Sequence, residues 1–206
     1  MVMEPNLEIR RLSNLLPASG LSSFGKKAIK IISKPEQAKV IDTTFPLPWN
    51  QERLIYINFD LWQNLTKQQR DLIFLSVVSW LIEVKWLQLD VNQGLAIAGV
   101  IAGLVESLQV DVVGVGISLS LTTVALFNIW KKNKSQDSQI NADTAAIRIA
   151  TRRGYSQVEA AEYLLSAIET IAKLEKQSNL DFINLIRTQN LRAIAGLSPI
   201  KIHKVL

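Results

Sequence analysis

The chain has 206 residues, enough for one sizeable core and an anchor, and carries 23 Lys and Arg against 18 Asp and Glu, a formal net charge of +5. With no Cys and a single His, disulfides, thiolate metal sites and cysteine catalysis are excluded, and no imidazole pair exists for a transition-metal centre. The cations are scattered without a nucleic-acid motif, so the charge points to an anionic membrane surface and not to nucleic acid.

In chain order, residues 6–16 place Ile9, Leu12, Leu15 and Leu16 at helical spacing beside Arg10 and Arg11, and Pro17 and Gly20 stop the run. This short amphipathic helix either lies on a membrane or packs on the domain. The stretch Gly25-Lys26-Lys27-Ala28-Ile29-Lys30 reads as a solvated basic loop, with a lipid headgroup as its functional alternative. Residues 1–35 are thus expected to form an N-terminal amphipathic segment. Its charges exclude a secretory signal, and neither end carries a lipidation motif.

Residues 36–85 are read as the first part of a cytosolic domain. Val40-Ile41 and residues 54–59 have strand character, separated by the Phe45-Pro46-Leu47-Pro48-Trp49-Asn50 bend, which gives a small sheet or hairpin. Thr66-Lys67-Gln68-Gln69 is a capping box, because the Thr hydroxyl can accept from the third helical amide while the Gln reaches back. The helix it opens is apolar nearly all round from 72 to 82, broken only by Ser76 and Ser79, and has to be enclosed by protein or lipid. Its two hydroxyls are expected to bond back to helix carbonyls.

Residues 86–130 contain no Lys or Arg and read as a transmembrane helical hairpin. Lys85 and Trp86 close one end, and Trp130, Lys131 and Lys132 the other, as interface anchors. Each arm of about 20 residues would rise about 30 Å, the thickness of a hydrocarbon core. Glu106 and Asp111 mark the distal turn as interfacial charges facing water, and cationic flanks place both termini on the cytoplasmic side. Residues 112–130 are uncharged and suit a span, whereas the first arm is apolar without interruption only over 94–105. The alternative is a soluble helical protein with the hairpin buried.

Residues 131–206 are expected to complete the cytosolic domain with helices. Residues 137–153 start acidic and end on Arg148, Arg152 and Arg153, matching the helix dipole, before Gly154. Ser156-Gln157-Val158-Glu159 is a second capping box for a helix to residue 176, on which Glu169 and Lys173 have favourable i, i+4 spacing. A last helix spans 181–195, stopped by Gly196 and Pro199, and His203 lies in a basic tail.

The order of strand, capped apolar helix, hairpin, helix, Gly-Tyr and alanine-rich helix over residues 50–176 resembles the membrane zinc peptidases of the heat-shock protease and CAAX prenyl protease type. Gln139-Ile140-Asn141-Ala142-Asp143 and Gly154-Tyr155 match that family's second metal-binding region. The resemblance implies a metallopeptidase-like ancestry with its chemistry removed. Ser76 stands where the family has its first His ligand, Val77 at the general-base Glu, Trp80 at the second His and Gln139 at the Glu ligand. Asp143, which positions neighbouring groups in those enzymes, is kept. Catalytic residues, metal and cofactor are therefore all expected to be absent.

A second resemblance covers nearly the whole chain. Asn6-Leu7-Glu8-Ile9-Arg10-Arg11-Leu12, Phe45-Pro46-Leu47-Pro48-Trp49 and Leu191-Arg192-Ala193-Ile194-Ala195-Gly196-Leu197-Ser198-Pro199 are similar to a cyanobacterial family of unknown function. That implies an integral protein of plasma or thylakoid membrane. The expected fold is α+β and mostly helical, a small sheet plus helices interrupted by the hairpin. The expected role is a non-catalytic scaffold or adaptor that contacts the lipid bilayer and a membrane protein or complex and assists its assembly or turnover. The alternative is a binder of lipid, pigment or another hydrophobic molecule, and an active hydrolase would need a site these residues do not assemble.

Overall fold

The computed structural model describes residues 3–16, 28–45, 52–83, 123, 136–177 and 180–197. The chain divides into one compact unit formed by residues 1–83 and 139–206, and a second formed by 84–138. Nearly all of the second unit, including the expected hairpin and its anchors Lys85, Trp86, Trp130, Lys131 and Lys132, lies outside the described residues. Among the described residues no helix is long and apolar enough to cross a membrane.

The first unit is α+β and mostly helical. In chain order it holds helix α1 (Pro5–Asn14), strands β1 (Ala28–Ser33), β2 (Ile41–Thr43) and β3 (Glu52–Ile57), and the one-turn helix α2 (Phe59–Trp62). Helices α3 (Lys67–Glu83), α4 (Gln136–Thr151), α5 (Gln157–Leu174) and α6 (Phe182–Ile194) follow, α4 beginning three residues before the unit boundary.

The sheet runs β1-β3-β2, with β2 antiparallel and β1 parallel to the central β3. β3 takes the centre because its alternation puts Ile55 and Ile57, both fully buried, on the core face. The expected β2–β3 hairpin is present. β1 was not expected: the basic stretch read as a loop becomes a strand from Ala28, and Lys30 stands in the ladder opposite Leu54. With Lys30 and Ser33 exposed and only one neighbouring strand, β1 lacks the continuous apolar run that signals a buried strand.

Asn58 ties sheet to helices. Its side chain accepts from Asp60 N at 3.0 Å and Leu61 N at 3.3 Å, capping α2, and donates to Pro35 O and Gln37 O at 2.8 Å each. Its own N–H donates to Val40 O at 3.0 Å, so this one buried residue fixes β2, the preceding loop and the helix start together.

Both capping boxes form. Thr66 and Gln69 bond reciprocally at 2.8 and 3.3 Å, as do Ser156 and Glu159 at 2.9 and 3.1 Å. Gly154 and Gly196 end their helices at φ +98 and +70, a conformation that costs a side-chain-bearing residue more than glycine. α3 buries Leu72, Ile73, Phe74, Leu75, Val78, Trp80 and Leu81, so protein encloses most of its apolar surface. It packs on α5, and α5 on α6, while the buried alanines Ala142, Ala146, Ala150, Ala160, Ala161 and Ala167 keep α4 and α5 thin where they enter the core. Of the two options for α1, packing is realised, with Glu8 and Leu12 buried.

Candidate functional site

Three helices bring a hydroxyl, a carboxylate and a guanidinium together in the core. Ser76 of α3 donates to Asp143 Oδ1 of α4 at 2.6 Å. Arg187 of α6 forks onto the same carboxylate, Nε to Oδ2 and Nη2 to Oδ1, both at 2.8 Å. Its Nη2 also donates to Ser76 Oγ at 3.1 Å, and its Nη1 to Asn184 Oδ1 at 3.0 Å. The Asp143 side chain is 1% exposed and that of Arg187 11%. A bidentate, nearly dry ion pair of this kind braces helices that are far apart in sequence.

Ser76 therefore does not bond back to its own helix, as expected from sequence; a buried carboxylate is the stronger acceptor. Ser79, expected to do the same, has a buried hydroxyl with no hydrogen-bond partner among the described residues. Ser76, Val77 and Gln139, three of the four positions aligned with zinc-peptidase site residues, line one cleft of about 230 Å³, and Asn184 and Arg187 line it as well. Trp80, the fourth, packs edge-on to Phe45 at 6.1 Å between ring centroids and is buried. Asp143 is not in the cleft lining but bridges Ser76 and Arg187 beside it.

The Ser76 O–H points at a carboxylate whose two oxygens the Arg187 fork already engages. A metal ion would meet a fixed guanidinium cation on the carboxylate. Among the described residues no group of three His, Cys, Asp or Glu is arranged to hold a metal.

Glu175, just beyond α5, also lines the cleft. Its Oε1 accepts from Val40 N at 2.8 Å and its Oε2 from Gln177 Nε2 at 2.9 Å. Burial pushes its carboxyl above the ordinary value, and the Val40 amide and the charge of Lys39 offset that only in part.

A second charged cluster fastens α1. Arg11 forks onto Glu8 with both bonds at 2.8 Å and also donates to Asp71 of α3. Trp62 Nε1 donates to Glu8 at 3.2 Å, Arg70 pairs with Glu8 at 3.2 Å, and Tyr155 O–H donates to Asp71 at 3.3 Å. Burial works to raise the Glu8 carboxyl, but the hydrogen bonds from Arg11 and Trp62 and the charges of Arg11 and Arg70 hold it below its ordinary value. Burial, together with Asp71, raises the Tyr155 phenol. Glu169 pairs with Arg192 of α6 at 3.0 Å instead of the expected Lys173, since a neighbouring helix offers a closer cation.

Sequence reasoning found Ser76 and Asp143 but missed Arg187, Asn184, Glu8 and Asp71. The available signal was an Arg on a short helix with no acidic residue at i±3 or i±4, whose counter-charge therefore had to come from another element.

Comparison with known proteins gives a thylakoid membrane protein, slr1949, of Synechocystis sp. (strain ATCC 27184 / PCC 6803 / Kazusa) that is 29% identical over 206 residues, covering 96% of this chain and 92% of the relative. No solved structure matches. The peptidase resemblance finds no support in these comparisons and stands on the residues alone. A match to the description of one family extends over residues 10–155, well over half the chain, and the protein belongs to that family, protein of unknown function DUF3318.

Proposed function

We propose that this chain is a non-catalytic, membrane-associated scaffold of degenerate metallopeptidase ancestry that helps to assemble or turn over a membrane protein complex. The carrying observation is the Ser76–Asp143–Arg187 brace: where the resemblance puts a metal, a permanent cation sits on the retained carboxylate and locks three helices. In this reading the site has exchanged catalysis for rigidity.

The sheet supports a partner surface. Asn58 N–H reaches Val40 O, so by alternation Ile41 and Thr43 turn their backbone groups away from β3, toward the open side of an edge strand. Ile41 also lines the cleft. An extended segment of a partner added at this edge would set side chains into the cleft. The membrane part of the proposal rests on the apolar stretch 86–130 and its Trp and Lys flanks, with both termini cytoplasmic. The relative's name supports a thylakoid location.

Affinity purification of the detergent-solubilised chain from its own membranes is expected to recover a reproducible protein partner, and repeated recovery of none would sink the scaffold reading. Metal analysis of the same preparation is expected to find no stoichiometric zinc, and chelator should leave the melting temperature unchanged. Zinc together with peptide cleavage would overturn the non-catalytic part.

A further inference from the structure

Arg53 is placed unlike the other arginines packed into the first unit. Alternation along β3 puts it on the same face as Ile55 and Ile57, at the end where the core runs out. Its Nη1 donates to Leu81 O in the last turn of α3, while its Nε is shut away from solvent with no acceptor among the described residues. Arg11, Arg70 and Arg187 each face a carboxylate, but among the described residues none pairs with Arg53. The adjacent Glu52 turns to the opposite face and pairs with Lys30 at 3.7 Å. Burial lowers the Arg53 pKa, with no neighbouring charge to offset it. A half-buried guanidinium with donors to spare and no counter-charge among the described residues is an arrangement that an incoming oxyanion completes.

We propose that Arg53 is an anion-binding site and that its occupant is the phosphodiester head of an anionic phospholipid. Phosphodiester oxygens accept from the Nη2–H donors while Nη1 stays on the helix carbonyl. The lipid source follows from where this guanidinium lies. It abuts the last turn of α3, two residues before the helix ends at Glu83, and the sequence then runs through Lys85 and Trp86 into the apolar stretch. Ala28 and Glu52 pair at the same end of the parallel strands, directly after Lys26 and Lys27 in sequence. In sequence, then, the described segments that meet beside Arg53 continue directly into cationic residues, which an anionic lipid surface favours. The inference rests on the membrane part of the proposed function, but not on its protein partner.

The test uses the full-length chain in nanodiscs of phosphatidylcholine alone or mixed with phosphatidylglycerol. Arginine-directed dicarbonyl labelling of Arg53, read by peptide mass spectrometry, is expected to slow about tenfold when phosphatidylglycerol is present, the size of one charge-assisted contact. Equal rates in both discs overturn the proposal, and equal protection by inorganic phosphate in phosphatidylcholine discs overturns the lipid source. Arg53→Gln should lose the preferential retention of phosphatidylglycerol after detergent washing, and Arg53→Lys, which keeps the charge without the planar guanidinium, should retain part of it. Retention by Arg53→Gln equal to wild type also overturns the proposal. Where Arg53→Gln does not fold, the labelling of the wild type decides. Neither readout needs a protein partner, so failure here and failure of the scaffold reading are separate results.

Discussion

Asp143 accepts from Ser76 and twice from Arg187, and its removal strands a guanidinium that is 11% exposed. Asp143→Ala is therefore expected to cost about 3–5 kcal/mol, read as a lowered urea midpoint of the solubilised chain. Replacing the group together, as Ser76→Ala, Asp143→Leu and Arg187→Met, should recover most of that loss, because no unpaired charge remains. A triple variant as unstable as Asp143→Ala would refute the view that the brace acts as one unit. Ser76 was legible from the sequence because it interrupts an apolar helix, and Asp143 because it closes the 139–143 stretch on which the peptidase resemblance rests. Arg187 was not, because its partner lies 44 residues away and periodicity carries no information across that distance.

At the scale of elements, what reads locally came through: both capping boxes, the glycine stops and the β2–β3 hairpin are set by residues within a few positions of one another. β1 escaped because its strand character depends on β3, which offers the ladder, and not on its own pattern. The attachment of α1 was equally hidden, since the partners that Glu8 and Arg11 find outside their own helix, Arg70 and Asp71, come from α3 about 60 residues on in the sequence. This latch has a pH signature. The folded-state carboxyl of Glu8 lies below its ordinary value of 4.5, so its stabilisation is complete above that value and is lost as pH falls through the lower, folded one. Urea midpoints should thus fall below about pH 4.5 in wild type and do so less steeply in Glu8→Gln, which starts from lower stability at pH 7. Glu175 has the opposite sign. Its carboxyl is raised, so the folded state holds the proton more tightly, and stability falls as pH rises through the window above 4.5. Glu175→Gln can still accept from the Val40 amide while shedding the buried charge. It should raise the midpoint at pH 7 and flatten the slope just above pH 4.5.

For the whole molecule, the first unit is assembled from two stretches of chain with residues 84–138 between them. Its brace joins both stretches, since Ser76 precedes the intervening segment while Asp143 and Arg187 follow it. The same is true of Gln69 Nε2, which donates to Ser166 Oγ at 3.1 Å, and of Val40 N, which donates to Glu175. The first unit can therefore close only after the intervening segment has been made and its second stretch has returned. Composition made the location of that segment legible, because all 23 cations fall outside residues 86–130. If that segment holds the chain in a bilayer, deleting residues 112–130 removes the better of its two arms while leaving every residue of the brace in place. The expected outcome is loss of the chain from the carbonate-washed membrane fraction, by release or by aggregation. Unchanged retention after the wash would assign membrane attachment to the rest of the chain and sever the link between the apolar stretch and the bilayer.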